Sequence, residues 1–287
     1  MRCLGAPVSA DQALLDVWRP FVASEEIARI QRFARLEDAV SHLAGRALVR
    51  LALEVMCGQA VLSPFAQTSW GQPLYPPFCF SISHAQNMVW VALCRDAAVG
   101  IDVESVQPVA ELAELMLRLH PQERAYLRSL PEDALLAAYF RCWTRKEAVL
   151  KALGRGLSLP LDSFAVHAGP RATDWILSLP AVPRSAKGFG QWGAHRAEAS
   201  LCAQWWTCAQ IQVGADHCCH VAAAAPGLAV QAVYIKNPFV TPPVREKMPL
   251  TDGEADGNLF PNPLLIERGN DSFRRLRSQY TEGGDCG

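Results

Sequence analysis

GIDVE, residues 100–104, alternates apolar and acidic side chains with the period of two that is typical of a half-buried β-strand. On such a strand Ile101 and Val103 face one side, and Asp102 and Glu104 project from the other, about 7 Å apart along the backbone. Two carboxylates on one face can bind a divalent cation that prefers oxygen ligands. The same pattern also fits a strand with a solvated acidic face, so both interpretations stay open at this point.

A second motif, WTRKEAVLK at residues 143–151, lies in a segment with helical periodicity. Trp143, Glu147 and Lys151 are four residues apart and therefore share one face of the predicted helix. A carboxylate beside an ammonium suits phosphoryl chemistry, because one can bind a metal ion and the other a diphosphate. The alternative is a surface ion pair worth about 0.3 to 0.5 kcal/mol, with Trp143 in the core.

A third motif, FSISH at residues 80–84, places Ser83 and His84 at the end of a predicted strand. A hydroxyl and an imidazole there can bind a phosphate, or they can satisfy nearby backbone groups. Adjacent residues on a strand point to opposite faces, and the sequence has no Gly-x-Ser-x-Gly motif, so the pair does not indicate a serine hydrolase. The sequence also lacks P-loop and Rossmann glycine motifs, which argues against other nucleotide-dependent enzymes.

The order of predicted elements indicates an α+β fold. Helical periodicity covers residues 24–58, 112–127 and 131–153, and strand-like segments occupy 78–83, 89–94, 99–104, 163–167, 175–177, 203–213 and 217–222. Helices followed by strands thus occur twice, which predicts two similarly built α+β halves, residues 1–104 and 105–225. The short link at 95–98 predicts a hairpin of its flanking strands, and the proline-rich residues 226–287 predict a flexible or loosely docked tail.

Composition narrows the class of protein. With 50% hydrophobic and 19% charged residues the chain is globular, and its net charge of −1 offers no broad attraction for nucleic acid. The first residues do not form a signal peptide and no apolar stretch is long enough to span a bilayer, so we expect a cytoplasmic protein. Ten cysteines without a secretion signal favour reduced thiols, and the His-Cys-Cys-His cluster at 217–220, which lacks a CxxC pair, is an awkward zinc site.

Together the three motifs resemble those of the Sfp-type 4′-phosphopantetheinyl transferases. Members of that family carry an upstream Ser-His, a Gly-Ile/Val-Asp-x-Glu strand and a downstream Trp-x-x-Lys-Glu-x-x-x-Lys helix, and this chain has all three in the same order. The resemblance covers residues 29–164 well and the rest of the second half weakly. It implies transfer of phosphopantetheine from coenzyme A to a serine of an apo acyl or peptidyl carrier protein, with release of 3′,5′-ADP. It also implies a pseudo-dimer of two α+β halves with the active site in the cleft between them.

The resemblance implies a role for each charged residue of the strand and the helix. Asp102, Glu104 and Glu147 would hold Mg²⁺, which offsets the charge on the departing diphosphate. Glu147, directly or through a bound water, would accept the proton of the attacking serine, and Lys151 would neutralise the diphosphate. We expect carrier proteins of polyketide or nonribosomal peptide synthases as partners, no nucleic-acid or membrane partner, and a monomer, because the cleft is built within one chain.

Binding of coenzyme A is assigned to polar and basic side chains by the same resemblance. Ser83 and His84 resemble family residues that bind the 3′-phosphate of coenzyme A. Further positive charge would come from basic side chains of both halves, namely Arg32, Arg50, Lys146 and Lys151.

Two departures from the family pattern concern this cofactor. Gln72 stands where the family often has a lysine, and Leu36 stands where a basic residue is frequent, with Arg35 beside it. A neutral Gln72 predicts a greater reliance of coenzyme A binding on the arginines. The alternative function is a non-catalytic relative that binds carrier proteins, which the intact acidic positions and Lys151 weaken.

Overall fold

Helices and strands are mixed along the chain. The computed structural model describes residues 1–67, 73–154, 159–180, 203–238 and 244–248. Its strands are β1 (Arg2–Pro7), β2 (Ala66–Gln67), β3 (Pro73–Leu74), β4 (Phe78–Ala85), β5 (Met88–Arg95), β6 (Val99–Ser105), β7 (Thr207–Gln210), β8 (His217–Ala223), β9 (Gln231–Asn237) and β10 (Val244–Met248). Its helices are α1 (Gln12–Trp18), α2 (Ser24–Ile30), α3 (Leu36–Cys57), α4 (Leu112–Leu117), α5 (Pro121–Arg128) and α6 (Glu132–Leu153). The predicted α+β class is confirmed.

A five-stranded sheet runs in the order β10-β9-β1-β5-β4. β1 pairs antiparallel with β5 and parallel with β9, and β4 forms a hairpin with β5 in which Ser83 lies opposite Trp90. Helix α3 packs on this sheet, because its apolar residues recur at helical spacing and place Val40 and Leu43 in one core cluster with Phe80 of β4. This packing fixes the position of the β4 end that carries the Ser-His motif.

A three-stranded sheet runs in the order β6-β8-β7, with Asp102 opposite His220. Helix α6 packs on this sheet, and a Cβ added at Gly100 would lie only 1.9 Å from the carbonyl oxygen of Ala148. A side chain at position 100 would therefore push the helix away, so this glycine sets the distance between β6 and α6. The close approach brings the charged face of α6 up to the acidic face of β6.

Serine side chains join the two sheets where β4 lies beside β6. The Ser81 hydroxyl accepts a hydrogen bond from the backbone N–H of Ile101, and the Ser83 hydroxyl accepts one from that of Val103, each at 3.2 Å. Strand β4 forms its backbone ladder with β5, and β6 forms its ladder with β8. Between β4 and β6 the serine hydroxyls therefore accept the hydrogen bonds of the β6 backbone. The two sheets therefore meet at the strand that carries Asp102.

The predicted hairpin around residues 95–98 is wrong. Strand β5 is buried along almost its whole length and has β1 and β4 on its two edges. Since both edges are taken, the chain after β5 crosses to the other sheet, where β6 pairs with β8. The hairpin that does form is the one between β4 and β5, around the turn between Ala85 and Met88.

The predicted flexible or loosely docked tail stays a prediction, and the structure adds that its strand β9 pairs in parallel with β1. Ala232 and Ile235 of this strand are buried, and the Met1 amino group donates a 2.9 Å hydrogen bond to the Ala229 carbonyl. The sequence did not reveal this strand because its partner lies at the opposite end of the chain. Residues 249–287 of the same predicted segment lie outside the described residues.

The division of the chain at residue 104 and the pseudo-dimer of two halves stay predictions. The structure adds that β6, from the first predicted half, is hydrogen-bonded to β8 of the second. Among the helices of the described ranges, none combines the length and the apolar character that crossing a bilayer requires.

Candidate active site

Asp102 is the centre of a polar cluster between β4, β6 and α6. As the alternation predicts, Ile101 and Val103 lie in the core, and Asp102 projects to the opposite face, where it is only 3% exposed. Its Oδ1 atom accepts hydrogen bonds from the Ser83 hydroxyl at 2.9 Å and from Lys151 Nζ at 2.6 Å. The strand motif, the helix motif and the serine of the third motif therefore meet at one carboxylate.

Glu104 and Glu147 lie close enough to Asp102 to sense its charge. Burial raises the pKa of Glu104 to about 7, and the negative charge of Asp102 adds to this rise, whereas a hydrogen bond with Trp143 opposes it. Burial also raises the pKa of Glu147, again with a contribution from Asp102. The three carboxylates that the sequence singled out therefore lie within range of one another's charge, in a partly desolvated place where these charges repel.

The donor set of this cluster fits a divalent cation. The Oδ2 atom of Asp102 is buried and has no hydrogen-bond partner. Burial raises the pKa of this carboxyl, so its negative charge needs a compensating positive charge nearby. Oxygen ligands from one aspartate and two glutamates are what Mg²⁺ prefers. Within the described ranges, no group of three acidic, histidine or cysteine side chains is arranged to hold a metal ion.

Buried polar residues just before Glu147 anchor α6 to separate parts of the fold. Thr144 Oγ1 lies 2.8 Å from Nδ1 of His220 on β8, and Arg145 donates to three backbone carbonyls between residues 167 and 171. Lys146 Nζ lies 2.7 Å from Oε1 of Glu123 on α5. Because these residues immediately precede Glu147, their bonds fix the rotation of α6 that turns Glu147 towards β6.

The predicted contact of Lys146 with coenzyme A stays a prediction, and the structure gives this side chain partners within the protein. The side chain is fully buried, and Nζ also donates to the Phe164 carbonyl at 2.7 Å and lies 4.0 Å from the centre of the Phe164 ring. One residue along a helix is a rotation of about 100°, which turns Lys146 into the core while Glu147 faces β6.

A basic cavity lies beside α2 and α3, with a volume of about 830 Å³. Its charged lining includes the predicted Arg32 together with Arg29 and Arg46, which the sequence reasoning did not single out, and the carboxylates of Glu25 and Glu26. Arg29 lies in the last turn of α2 and Arg32 just beyond its end, so the close spacing of these two arginines in the sequence was a signal that was not used. Three guanidinium groups around one cavity are suited to a phosphate.

His42 of α3 also lines this cavity and connects it with the Ser-His motif. Burial lowers the pKa of His42 to about 4, and the nearby charges of Arg46, Arg29 and His84 lower it further. His84 is exposed and lies within range of the charge of His42, but it is not among the residues that line the cavity. Ser83 points to β6 and His84 to the α3 side, as the alternation of a strand requires.

The predicted contact of Arg50 with coenzyme A stays a prediction, and the structure gives this side chain partners within the protein. The guanidinium is buried and donates twice to Glu26 Oε2, at 3.1 and 2.9 Å, and to the carbonyls of Val61 and Ser63, at 2.6 and 3.0 Å. It also stacks 4.2 Å above the ring of Phe65. Four of the five guanidinium N–H groups are thereby bonded to the protein.

The two departures from the family pattern have different outcomes. Gln72 lies outside the described residues, so its effect on cofactor binding stays a prediction. Leu36 is the first residue of α3, and Arg35 before it pairs with Glu37 at 2.8 Å on the surface.

Comparison with known proteins relates the chain to one superfamily. The sequence profile of the 4′-phosphopantetheinyl transferase superfamily matches residues 98–202, which include β6 and α6. The 4′-phosphopantetheinyl transferase HetI of Nostoc sp. strain PCC 7120 is 32% identical over 186 residues, which are 61% of this chain and 77% of that protein. The chain belongs to this superfamily.

Two further relatives in the superfamily come from Bacillus. The transferase psf-1 of Bacillus pumilus is 35% identical over 52% of this chain and 65% of its own length. The transferase Sfp of Bacillus subtilis strain 168 is 33% identical over 51% of this chain and 66% of its own length. The family resemblance is confirmed, and Asp102 and Glu147 of this phosphopantetheinyl transferase lie within the matched residues.

Proposed function

We propose that this chain transfers the 4′-phosphopantetheine group of coenzyme A to a serine of an apo carrier protein and releases 3′,5′-ADP. The observation that carries the proposal is the buried carboxylate of Asp102, with Oδ2 unpartnered, between Glu104, Glu147 and Lys151. The superfamily membership supplies the reaction class. The basic cavity on the other side of β4 supplies charge for a polyanionic cofactor.

Mg²⁺ is the metal ion that this donor set suits, and Asp102, Glu104 and Glu147 would hold it. When bound, the ion supplies positive charge that offsets the negative charge growing on the leaving diphosphate. The unpartnered Oδ2 of Asp102 supports this assignment, since a buried carboxylate oxygen without a donor requires a cation or a proton.

The 3′-phosphate of coenzyme A is assigned to the basic cavity, where Arg29, Arg32 and Arg46 offer donors, and His84 on the same side of β4 would add another. The cavity volume lies in the range of ordinary cofactor sites. Lys151 Nζ is close to the carboxylates and its side chain is 29% exposed, so it can reach the diphosphate. The cofactor would therefore extend from the α3 side of β4 to the carboxylates on its β6 side.

Glu147 is the proposed acceptor for the proton of the carrier serine. It lies on the face of α6 that meets β6 and is only partly buried, so an incoming hydroxyl has access to it. As this proton leaves, the serine oxygen bonds to the phosphorus of the phosphopantetheine phosphate, and the bond from phosphorus to the 3′,5′-ADP oxygen breaks.

Carrier proteins of polyketide or nonribosomal peptide synthases are the proposed acceptors. A monomer is the proposed working form, because the carboxylates and the basic cavity belong to one chain. The proposed location is the cytoplasm, where coenzyme A and newly made apo carrier proteins are available.

Mass spectrometry of the acceptor tests the proposal. The purified chain, coenzyme A, Mg²⁺ and a panel of apo carrier proteins are expected to yield a carrier heavier by one phosphopantetheine group, and EDTA is expected to prevent this. Carriers that bind the chain and keep their apo mass under all conditions would instead identify a non-catalytic relative.

A further inference from the structure

The Ser83 hydroxyl has used its full hydrogen-bonding capacity within the protein. It donates to Asp102 Oδ1 at 2.9 Å and accepts from Lys151 Nζ at 2.9 Å and from the backbone N–H of Val103 at 3.2 Å. A hydroxyl has one proton and two lone pairs, so these three bonds leave nothing for a ligand. The side chain is also only 4% exposed. A phosphate oxygen could accept from Ser83 only if the bond to Asp102 were given up.

We propose that Ser83 is a positioning residue of the metal site and not a ligand of the coenzyme A 3′-phosphate. It holds Asp102 by Oδ1, so that Oδ2 stays directed to the position of the cation, and it holds Lys151 against the same oxygen. The inference rests on the proposed function and assigns a different role to a residue of that site.

The position of Ser83 in the fold explains how one hydroxyl can do this. It lies on β4, Asp102 and Val103 lie on β6, and Lys151 lies on α6, so the three bonds join three elements at one atom. His84, the next residue, points to the cavity side of β4, near His42. The two residues of the Ser-His motif therefore have separate proposed roles: Ser83 positions the carboxylate of Asp102, and His84 binds the 3′-phosphate.

Ser81 provides a matched control for this role. Its hydroxyl accepts the backbone N–H of Ile101 at 3.2 Å, as Ser83 accepts that of Val103, and it is also buried. It lies one strand repeat away and bonds to neither Asp102 nor Lys151. Ser81→Ala therefore removes the same kind of bond between β4 and β6 and leaves the carboxylate cluster intact.

Calorimetry on the full chain separates the two roles without requiring turnover. We measure binding of Mn²⁺, as a probe for Mg²⁺, in the presence of coenzyme A, and separately binding of coenzyme A and 3′-dephospho-coenzyme A. For Ser83→Ala we expect about a tenfold weaker affinity for Mn²⁺, as for the loss of a charge-assisted hydrogen bond that orients a ligand. The preference for coenzyme A over its dephospho form is expected to stay at the wild-type value. Ser81→Ala is expected to retain both, and His84→Ala to lose the preference only.

Three results would overturn the inference. They are unchanged Mn²⁺ affinity in Ser83→Ala, equal loss in Ser83→Ala and Ser81→Ala, or loss of the coenzyme A preference in Ser83→Ala. If Ser83→Ala does not fold, Ser83→Cys keeps the size, offers only a weak donor, and carries the same expectation. Absence of Mn²⁺ binding by the wild-type chain would overturn the proposed metal site together with this inference, whereas wild-type binding that survives in Ser83→Ala overturns the inference alone.

Discussion

Lys151 Nζ lies 2.6 Å from Oδ1 of Asp102, so the last basic residue of the helix motif pairs with the strand motif. The spacing of four along α6 had indicated Glu147 as its neighbour. The observed pair joins α6 to β6 and compensates a carboxylate whose pKa burial raises. The charge of Lys151 is therefore needed for the unliganded fold as well as for the proposed diphosphate contact.

Replacement of Lys151 is expected to change the stability of the protein both without and with its ligands. In EDTA, Lys151→Ala should lower the free energy of unfolding by about 1 to 2 kcal/mol, less than for a fully buried pair because the lysine is partly exposed. Mg²⁺ with coenzyme A should restore part of this loss, since a cation then compensates Asp102. Urea denaturation with and without the ligands measures the effect. Arg35→Ala, which breaks an exposed ion pair with Glu37, is the control and should change little; a loss of similar size there would contradict the explanation.

Neutral replacements of the carboxylates should separate folding from catalysis. Asp102→Asn and Glu147→Gln keep the size of each side chain and remove a desolvated charge, so we expect cooperative unfolding with unchanged or higher midpoints. Transfer of phosphopantetheine should fall at least about a hundredfold in each, because a metal ligand is lost. Mass spectrometry of the carrier and thermal denaturation measure the two effects. Glu132→Gln, at the exposed start of α6, should keep full activity; unfolding of both site variants would assign the carboxylates to the core instead.

Two arginines that the sequence treated alike should behave differently. Arg32 is exposed at the cavity, so Arg32→Ala should raise the KM for coenzyme A about tenfold, with kcat and thermal stability near the wild-type values. Arg50→Ala should instead lower the free energy of unfolding by about 3 kcal/mol, because it removes the buried bonds from the guanidinium to Glu26 and to two backbone carbonyls. Steady-state kinetics and denaturation distinguish the two, and an Arg50→Ala chain that is stable but binds coenzyme A weakly would reverse the assignment.

The sequence predicted those features that depend on local periodicity. The period of two along β6 placed Asp102 and Ile101 on opposite faces, and the helical period placed Glu147 on the face that meets them. The environment of a side chain that depends on distant residues could not be predicted in this way. Lys146 is paired with Glu123 and Arg50 with Glu26, each more than twenty residues away, and composition alone does not distinguish a buried arginine from a ligand-binding one.

The acidic limb of the stability profile should depend on His42. Burial and the charges of Arg46 and Arg29 lower its pKa to about 4 in the fold, whereas the unfolded chain takes up the proton near the ordinary value of about 6.5. A depressed histidine pKa means that the unfolded state binds more protons, so this contribution to stability is present above about pH 6.5 and decreases as the pH falls towards 4. His42→Gln should flatten that decrease, and NMR should follow the His42 resonance, which the variant identifies, to a midpoint near 4. Coenzyme A should raise this midpoint, because a phosphate in the cavity favours the charged imidazole. A midpoint near 6.5 in the folded protein without coenzyme A would contradict the burial of His42 among the arginines.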